Sequence, residues 1–485
     1  MRAKIFADEN KKWWTLVAVS FGLFMIMLDN TVVNVALPSI QKSLGLQVSE
    51  LEWVVAGYAL TFGAFMLTGG KLADLFGRRR IFVTGLVVFT AASLACGLAT
   101  GPDMLIGARV VQGLGAAMMN PATLSIITVT FAPRERGMAI GIWAGVSALA
   151  LAIGPLTGGV ISEYVNWNWI FFINVPIGLI AIAFAFAFIK ESKDTSLEQR
   201  PDIPGLVSSA IGLFALSYAL IEANNYGWGS TRILVSFAIA AVALVTFVLL
   251  ELHQRLPMLD LSLFKNKTFS GANTVMLLVG LAMFGVFFFV SLFVQEVLGY
   301  SPTQAGAAFL PWTLLIVVLA PQAGRISDRV GARWLVTSGM IVLAGSLFLF
   351  SRMGAGSDFW TLLPAMILGG IGMGVMMAPV TSTAMGSVPR DKAGVGSAVL
   401  NSMRQVGGSL GIAVMGAIVA AAVTSNPAVS KQSQFLTGFH HALEVATVIA
   451  LFGAVIAALT LRKVHHPESA PGQAPQAAPQ VMVEA

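Results

Sequence analysis

About fourteen stretches of this 485-residue chain are each apolar over the roughly 17 to 25 residues that carry an α-helix across a bilayer. They fall near residues 14–37, 53–72, 81–99, 104–131, 137–162, 168–189, 204–224, 232–250, 270–297, 304–324, 334–351, 359–386, 393–422 and 438–461. Hydrocarbon offers no partner to a backbone N–H or C=O, so a stretch of this kind spans as a helix with its hydrogen bonds closed inside itself. The expected fold class is therefore an all-α integral membrane protein. Composition agrees: 56% of residues are hydrophobic and only 11% charged, against about 25% charged in a soluble domain, and the mean hydropathy is +0.81.

An even number of spans puts both termini on one side, and the basic residues say which. Cytoplasmic loops retain Lys and Arg during insertion. With the N-terminus inside, nearly all of the 29 Lys and Arg residues fall in cytoplasmic segments. The exceptions are Lys42, Arg232, Arg352 and Lys431 outside, and Arg109 and Arg404 within spans. The expected location is the cell (inner or plasma) membrane, multi-pass, with both termini cytoplasmic. The same residues account for the net charge of +6 as orientation signals and contacts with anionic lipid, with no call for nucleic acid. Cys96 is alone, so neither an intramolecular disulfide nor a cysteine-based metal site is expected. The five histidines fall at span ends or in the tail and read as solvated surface, and no metal or cofactor is expected.

One pattern occurs twice, about half a chain apart. Gly70, Asp74, Gly77 and Arg79 follow the second span, with Arg78 between the last two, and Gly324, Asp328, Gly331 and Arg333 follow the tenth in the same frame. A plain basic loop explains Arg78 to Arg80 but not the recurring Gly and Asp positions. The chain reads as a duplication: a cytoplasmic N-terminus over 1–12, a six-helix bundle over 13–190, a linker with two inserted helices over 191–269, a second six-helix bundle over 270–462, and a Pro-, Ala- and Gln-rich tail over 463–485. In each loop copy the carboxylate can cap a helix N-terminus or pair with Arg, and the second glycine permits a tight turn.

Asp29 is an acid inside a span, which is costly and marks a functional candidate. It lies about nine residues from Pro38 at the outer end of its helix, and Arg109 about six from Asp103, so at about 1.5 Å per residue their depths differ by a few ångström. An Arg partner would hold Asp29 ionised, and separation would let it take a proton; a static ion pair that only orients two helices is the other reading. Gly154-Pro155 with Gly158 and Gly159 places a helix break and small residues together in the fifth span, suited to a close-packed seam. Arg404 stands near the centre of its span, to be satisfied by carbonyls, by Asn401 or by a cavity. Asn34, Arg404 and Glu222 are the candidate cavity residues. Met25, Met27, Met118, Met119, Met376 and Met377, with Phe287 to Phe289, read either as an adaptable binding lining or as lipid-facing packing.

These residues together resemble the major facilitator superfamily, and within it the fourteen-helix drug:proton antiporters, over residues 1–462. The loop segment Gly70 to Arg80 is similar to the family's motif between helices two and three. Leu105, Arg109, Gln112, Gly113 and Gly115 resemble its helix-four motif, and Gly154 to Gly159 its helix-five antiporter motif, with Ala150 standing where that motif has Gly. Leu28 to Pro38 and Trp169 to Gly178 resemble signatures of the fourteen-helix branch. The resemblance implies two bundles that rock about a midplane site, Asp29 and Arg109 as the proton-coupling pair, Asp74 with Arg78 as a cytoplasmic gate, and Gly154 and Pro155 as a hinge and seal.

The function so implied is proton-coupled export of lipophilic, often cationic compounds. An exporter dedicated to one endogenous metabolite is the alternative. A membrane-embedded enzyme is the third reading, disfavoured because the spans show no nucleophile set with a base, no paired acids and no metal cluster; no phosphate-binding G-x-x-x-x-G-K-[S/T] loop occurs either. The expected partners are the lipid bilayer, protons and a small lipophilic substrate, with a periplasmic adaptor where the cell has two membranes.

Overall fold

A computed structural model describes residues 8–193, 201–254, 257–389, 392–425 and 430–462. The tail over 463–485 and most of the N-terminal segment 1–12 lie outside the described residues. Among the described residues, fourteen helical spans, some of them counted with a short adjoining piece, are long and apolar enough to cross a membrane. They are α1 Asp8–Leu44, α2 Val48–Phe76, α3 Arg78–Gly97, α4 Pro102–Thr130, α5 Pro133–Tyr164, α6 Asn174–Phe188, α7 Ile203–Tyr226, α8 Thr231–His253, α9 Lys267–Leu292, α10 Leu310–Val330, α11 Ala332–Phe350, α12 Phe359–Gly386, α13 Ala393–Ser425 and α14 Lys431–Thr460. Short helical pieces precede α6 at Trp169–Phe172 and α10 at Pro302–Ala308.

Helix starts follow local chemistry. Pro102 and Pro133 sit in the first turns of α4 and α5, where a missing N–H costs nothing. Asp202, Ser230, Asn266, Asp358 and Ser430 cap α7, α8, α9, α12 and α14 with side-chain oxygens. The helices are longer than their apolar cores. α1 runs through Pro38 to Leu44, and α5 continues through Gly154-Pro155 as one helix. The expected break at Pro155 is thus absent: neighbouring groups absorb one freed carbonyl in a membrane helix.

Helices α1 to α6 pack among themselves, as do α9 to α14. The pair α7–α8 is a hairpin whose first helix lies against α2 and α13 at once, across the seam between the bundles. Asn224 on α7 donates to the Ala417 carbonyl of α13 (2.8 Å) and Asn225 to Ser49 of α2 (3.1 Å). At the other end of the hairpin, the segment leading to α9 is tied to both bundles. Thr68 of α2 donates to the Met258 sulfur, and Lys392, just before α13, pairs with Asp260 at 2.5 Å.

The end carrying the two loop motifs is called here the motif end, and the other the far end. Between the bundles, Ser402 donates to the Gly63 carbonyl (2.5 Å) and Thr313 to that of Ala152 (3.3 Å) near mid-helix. Farther out, Ser409 donates to Ala56, Ser291 to Asn34, Gln295 to Val35 and the Thr303 amide to Glu163, at 2.8 to 3.2 Å. At the far end of α5, Gly159 lies against Pro302, and Gly306 against the Pro155 carbonyl, too closely for any side chain. On the motif-end half of the same helix, Gly137, Gly141 and Gly145 have open space beside them. The far end is sealed, whereas these motif-end glycines of α5 touch no neighbouring element.

The methionines and phenylalanines offered as a lining are placed differently from either expectation. Met25, Met27, Met119, Met376, Phe287, Phe288 and Phe289 are buried between helices, while Met118 and Met377 are half-buried. Glycine explains part of this, since Gly22 and Gly85 leave room that Met119 fills.

Candidate functional site

Asp29 of α1 and Arg109 of α4 meet inside the first bundle. The Arg109 guanidinium donates to Asp29 at 2.5 Å, and both side chains are enclosed, 0% and 1% exposed. Gln112, one turn beyond Arg109, completes the arrangement: its amide nitrogen donates to the second Asp29 oxygen (3.0 Å) while its carbonyl oxygen accepts from Arg109 (2.8 Å). Arg109 spends a further N–H on the Val54 carbonyl of α2 (3.0 Å) and lies over the Tyr58 ring at 4.1 Å. Phe171 stands on its other side, at 5.8 Å. Cys96 of α3 donates to Gln112 at 3.7 Å.

Both charges are thus desolvated, and each is matched by a charge-assisted hydrogen bond and further polar contacts. That condition separates a tolerable buried ion pair from a costly one. Four helices contribute polar groups to the cluster, α1, α2, α3 and α4. Movement of α1 relative to α4 therefore breaks the Asp29 contacts while leaving Arg109 its Val54 and Tyr58 contacts. Gln112 was not singled out from the sequence as a site residue, although its i, i+3 spacing from Arg109 places the two on one helix face.

The loop motif divides its duties in a way its residues alone do not reveal. Asp74 pairs with Arg78, one helical turn on, at 2.9 Å, and accepts from Ser125 of α4 at 3.4 Å. It does not cap α3. Glu191, just beyond α6, does: its carboxylate accepts from the amides of Arg79 (3.1 Å) and Arg80 (3.2 Å), with the Arg80 side chain 3.7 Å away. Gly77 joins α2 to α3 at φ 111°, where a side chain would be strained and would also strike the Glu191 carboxylate. Gly331 repeats that turn at φ 89°. Gly70 sits beside Pro121 of α4 with its Cβ position 3.3 Å from that ring. The Asp328 side chain lies outside the described residues.

Gly154 and Gly158 pack α5 on α1, against Thr31 and the Val32 carbonyl, while Gly159 reaches the second bundle at Pro302. The three candidate cavity residues are held by three separate sets of partners. Asn34 donates to Asn30 (3.1 Å), its carbonyl accepts from Ser291, and its side-chain oxygen has no partner. Arg404 reaches Asn401 at 3.4 Å and keeps its buried Nε unpartnered. Glu222 belongs to the inserted hairpin, accepting from Trp53 (3.3 Å) and Asn225 (2.9 Å) at the seam.

Comparison with known proteins fits this architecture. The family model described as Major Facilitator Superfamily matches residues 19–412 and 276–484. The puromycin resistance protein pur8 of Streptomyces alboniger is 36% identical over 460 residues, covering 93% of this chain and 91% of its own. The multidrug resistance protein Stp of Mycobacterium tuberculosis (strain CDC 1551 / Oshkosh) is 35% identical over 410 residues, covering 84% and 76%. Among solved structures, a bacterial homolog of the human lysosomal transporter Spinster, inward-facing and unoccupied, superposes with a TM-score of 0.66 at 17% identity over 94% of this chain and 98% of that one. Fourteen membrane-length helices, two bundles joined through a glycine seam and the matching family model lead to one conclusion: the chain belongs to the Major Facilitator Superfamily.

Proposed function

We propose that this protein exports lipophilic, often cationic compounds in exchange for protons, by alternating access between the two bundles. The observation that carries the reading is the Asp29, Arg109 and Gln112 cluster, an enclosed ion pair inside the bundle that must move against its partner. The motif end faces the cytoplasm in this reading, as the excess of Lys and Arg in its loops requires. The form described is then inward-open.

In this state Arg109 and Gln112 occupy both Asp29 oxygens. On the swing to the outward-open form the α1 to α4 contact loosens, Asp29 loses its cation and takes a proton from the outer solution, and the pair re-forms on return with release inward. Asp74 and Arg78 stiffen the α2 to α3 turn that presents the motif end of α2 to the opposite bundle. The relatives support export of toxic compounds as the cargo class. Stp is a multidrug resistance protein. The name of pur8 points to a single antibiotic and favours the narrower reading, an exporter of one compound.

The test is substrate-linked proton flux in proteoliposomes under an imposed pH gradient, with a panel of cationic and neutral lipophilic compounds, comparing wild type with Asp29→Asn. Flux with several compounds that vanishes in the variant supports the reading. Flux that survives Asp29→Asn removes Asp29 from coupling, and a response to one compound alone selects the narrow exporter.

A further inference from the structure

A second enclosed acid lies apart from the Asp29 cluster. Glu52, in the first turns of α2 at the far end, is 2% exposed and carries no hydrogen bond or cation among the described residues. Its carboxyl lies flat on the backbone of Gly416 in α13, closer than any side chain at 416 would permit. The contact belongs to the seam that joins the bundles, one residue from Ala417, which accepts from Asn224, and two turns from Ser409, which donates to Ala56.

The charged groups around it do not neutralise it. The inserted helix α7 presents Glu222, a second acid, which acts on Glu52 with the same sign of charge. The hairpin cation Arg232 is stacked on Tyr226 (4.1 Å) and Tyr218 (5.4 Å). From α1 and α4 come Asp29 and Arg109, committed to one another and to Val54. Lys42 at the end of α1 leans toward Glu296 at 3.9 Å. From α13 the contact is glycine backbone. An ionised carboxylate enclosed without a partner is among the costliest groups a protein can bury, whereas its neutral acid is tolerable.

We propose that Glu52 is a second proton-binding site, which takes its proton from the outer solution when the bundles part at the far end and must hold it for the seal on Gly416 to close. The step is simple association, a carboxylate and a proton giving a carboxylic acid, and the proton returns to the outer solution when the seal reopens. Glu52 therefore adds no transported proton. It makes closure of the outer side depend on the outer proton concentration, so that the return swing is favoured when protons are abundant outside. The proposal rests on the alternating-access reading and deepens it.

The test uses the full chain in lipid nanodiscs, with Cys96→Ser and spin labels at Ser43→Cys and Gln432→Cys, two exposed far-end positions on opposite bundles. Asp29→Asn is included so that its proton does not contribute. The ratio of short to long label distances is followed from about pH 5 to pH 9. With Glu52 present, the closed-to-open ratio should fall as pH rises, by up to about tenfold per pH unit for one proton. Glu52→Gln, neutral at every pH and of the same shape, should flatten the profile and leave the seal closed. Gly416→Ala should displace the carboxyl and shift the ratio toward open at every pH. A slope as steep with Glu52→Gln as without it overturns the proposal, and so does a flat profile with Glu52 in place. Failure of the export reading would appear separately, as absence of compound-linked proton flux with this distance profile intact.

Discussion

Replacing Arg109 by Gln would strand Asp29. Its carboxylate has 0% exposure, and the Gln112 amide at 3.0 Å would be its remaining donor. Removing one member of a buried pair costs about 3–5 kcal/mol, because the other is left uncompensated in a medium that cannot hydrate it. Asp29→Asn has the converse effect, leaving a guanidinium with the Val54 and Gln112 carbonyls and the Tyr58 face, and should cost less. The double variant Asp29→Asn, Arg109→Gln removes both charges and should be more stable than the sum of the singles implies, by about 2–3 kcal/mol of coupling. The molecule carries its own probe: Cys96 is its sole cysteine, fully buried and 3.7 Å from Gln112. Reaction with a thiol-specific dye, followed through unfolding in micelles of increasing dodecyl sulfate, reads the stability of this cluster directly. Single-variant effects that add to within about 0.5 kcal/mol would refute the reasoning, since a pair in this geometry must couple.

Two further outcomes follow from the motif end. Glu191→Ala should lower stability by about 1 kcal/mol through loss of the α3 cap, and Gly77→Ala should cost more because it adds backbone strain at φ 111°; thermal unfolding of each in detergent checks the order, and a neutral Glu191→Ala would remove the cap assignment. Asp260 is held below the usual aspartate range by its hydrogen bond from Lys392, with Ser262 adding to it. The tie it makes to the start of α13 is therefore fully present above about pH 3.9 and is lost as pH falls through the lower folded value. Protection from hydrogen exchange over residues 257–266, taken relative to the intrinsic rate at each pH, should fall on acidification in wild type, and Asp260→Asn should show the reduced protection already at pH 6.

Much of this was legible in the chain because the bilayer imposes a length. Spans show as apolar runs, and counting from Pro38 and from Asp103 was enough to bring Asp29 and Arg109 to one depth. Boundaries were less legible, and one of them mattered. The second apolar run begins near residue 53, one position after Glu52, which was not singled out from the sequence. The helix in fact starts at Val48 and carries Glu52 into the seam. The cap on α3 was hidden for a different reason: Glu191 comes from more than a hundred residues later, and local pattern points to Asp74. Pro155 was overread, because a proline that breaks a helix in water is absorbed by neighbours in a packed bundle.

The far-end closure between α5 and the turn before α10 is made by Gly159, Gly306 and the backbones of Pro155 and Pro302. None of these residues has a rotatable side chain to immobilise when the bundles meet. Most protein surfaces that come together freeze flexible side chains, each costing about 0.5–1.5 kcal/mol, and must regain that loss through deep interlocking, which slows separation. A joint of glycine and proline avoids both halves of that bargain. It closes with little loss of conformational freedom and holds by short-range backbone contact, with one side-chain bond beside it from the Thr303 amide to Glu163, so it can part again after a small displacement. A machine that must open and shut once per molecule carried is served better by such a joint than by a stronger one.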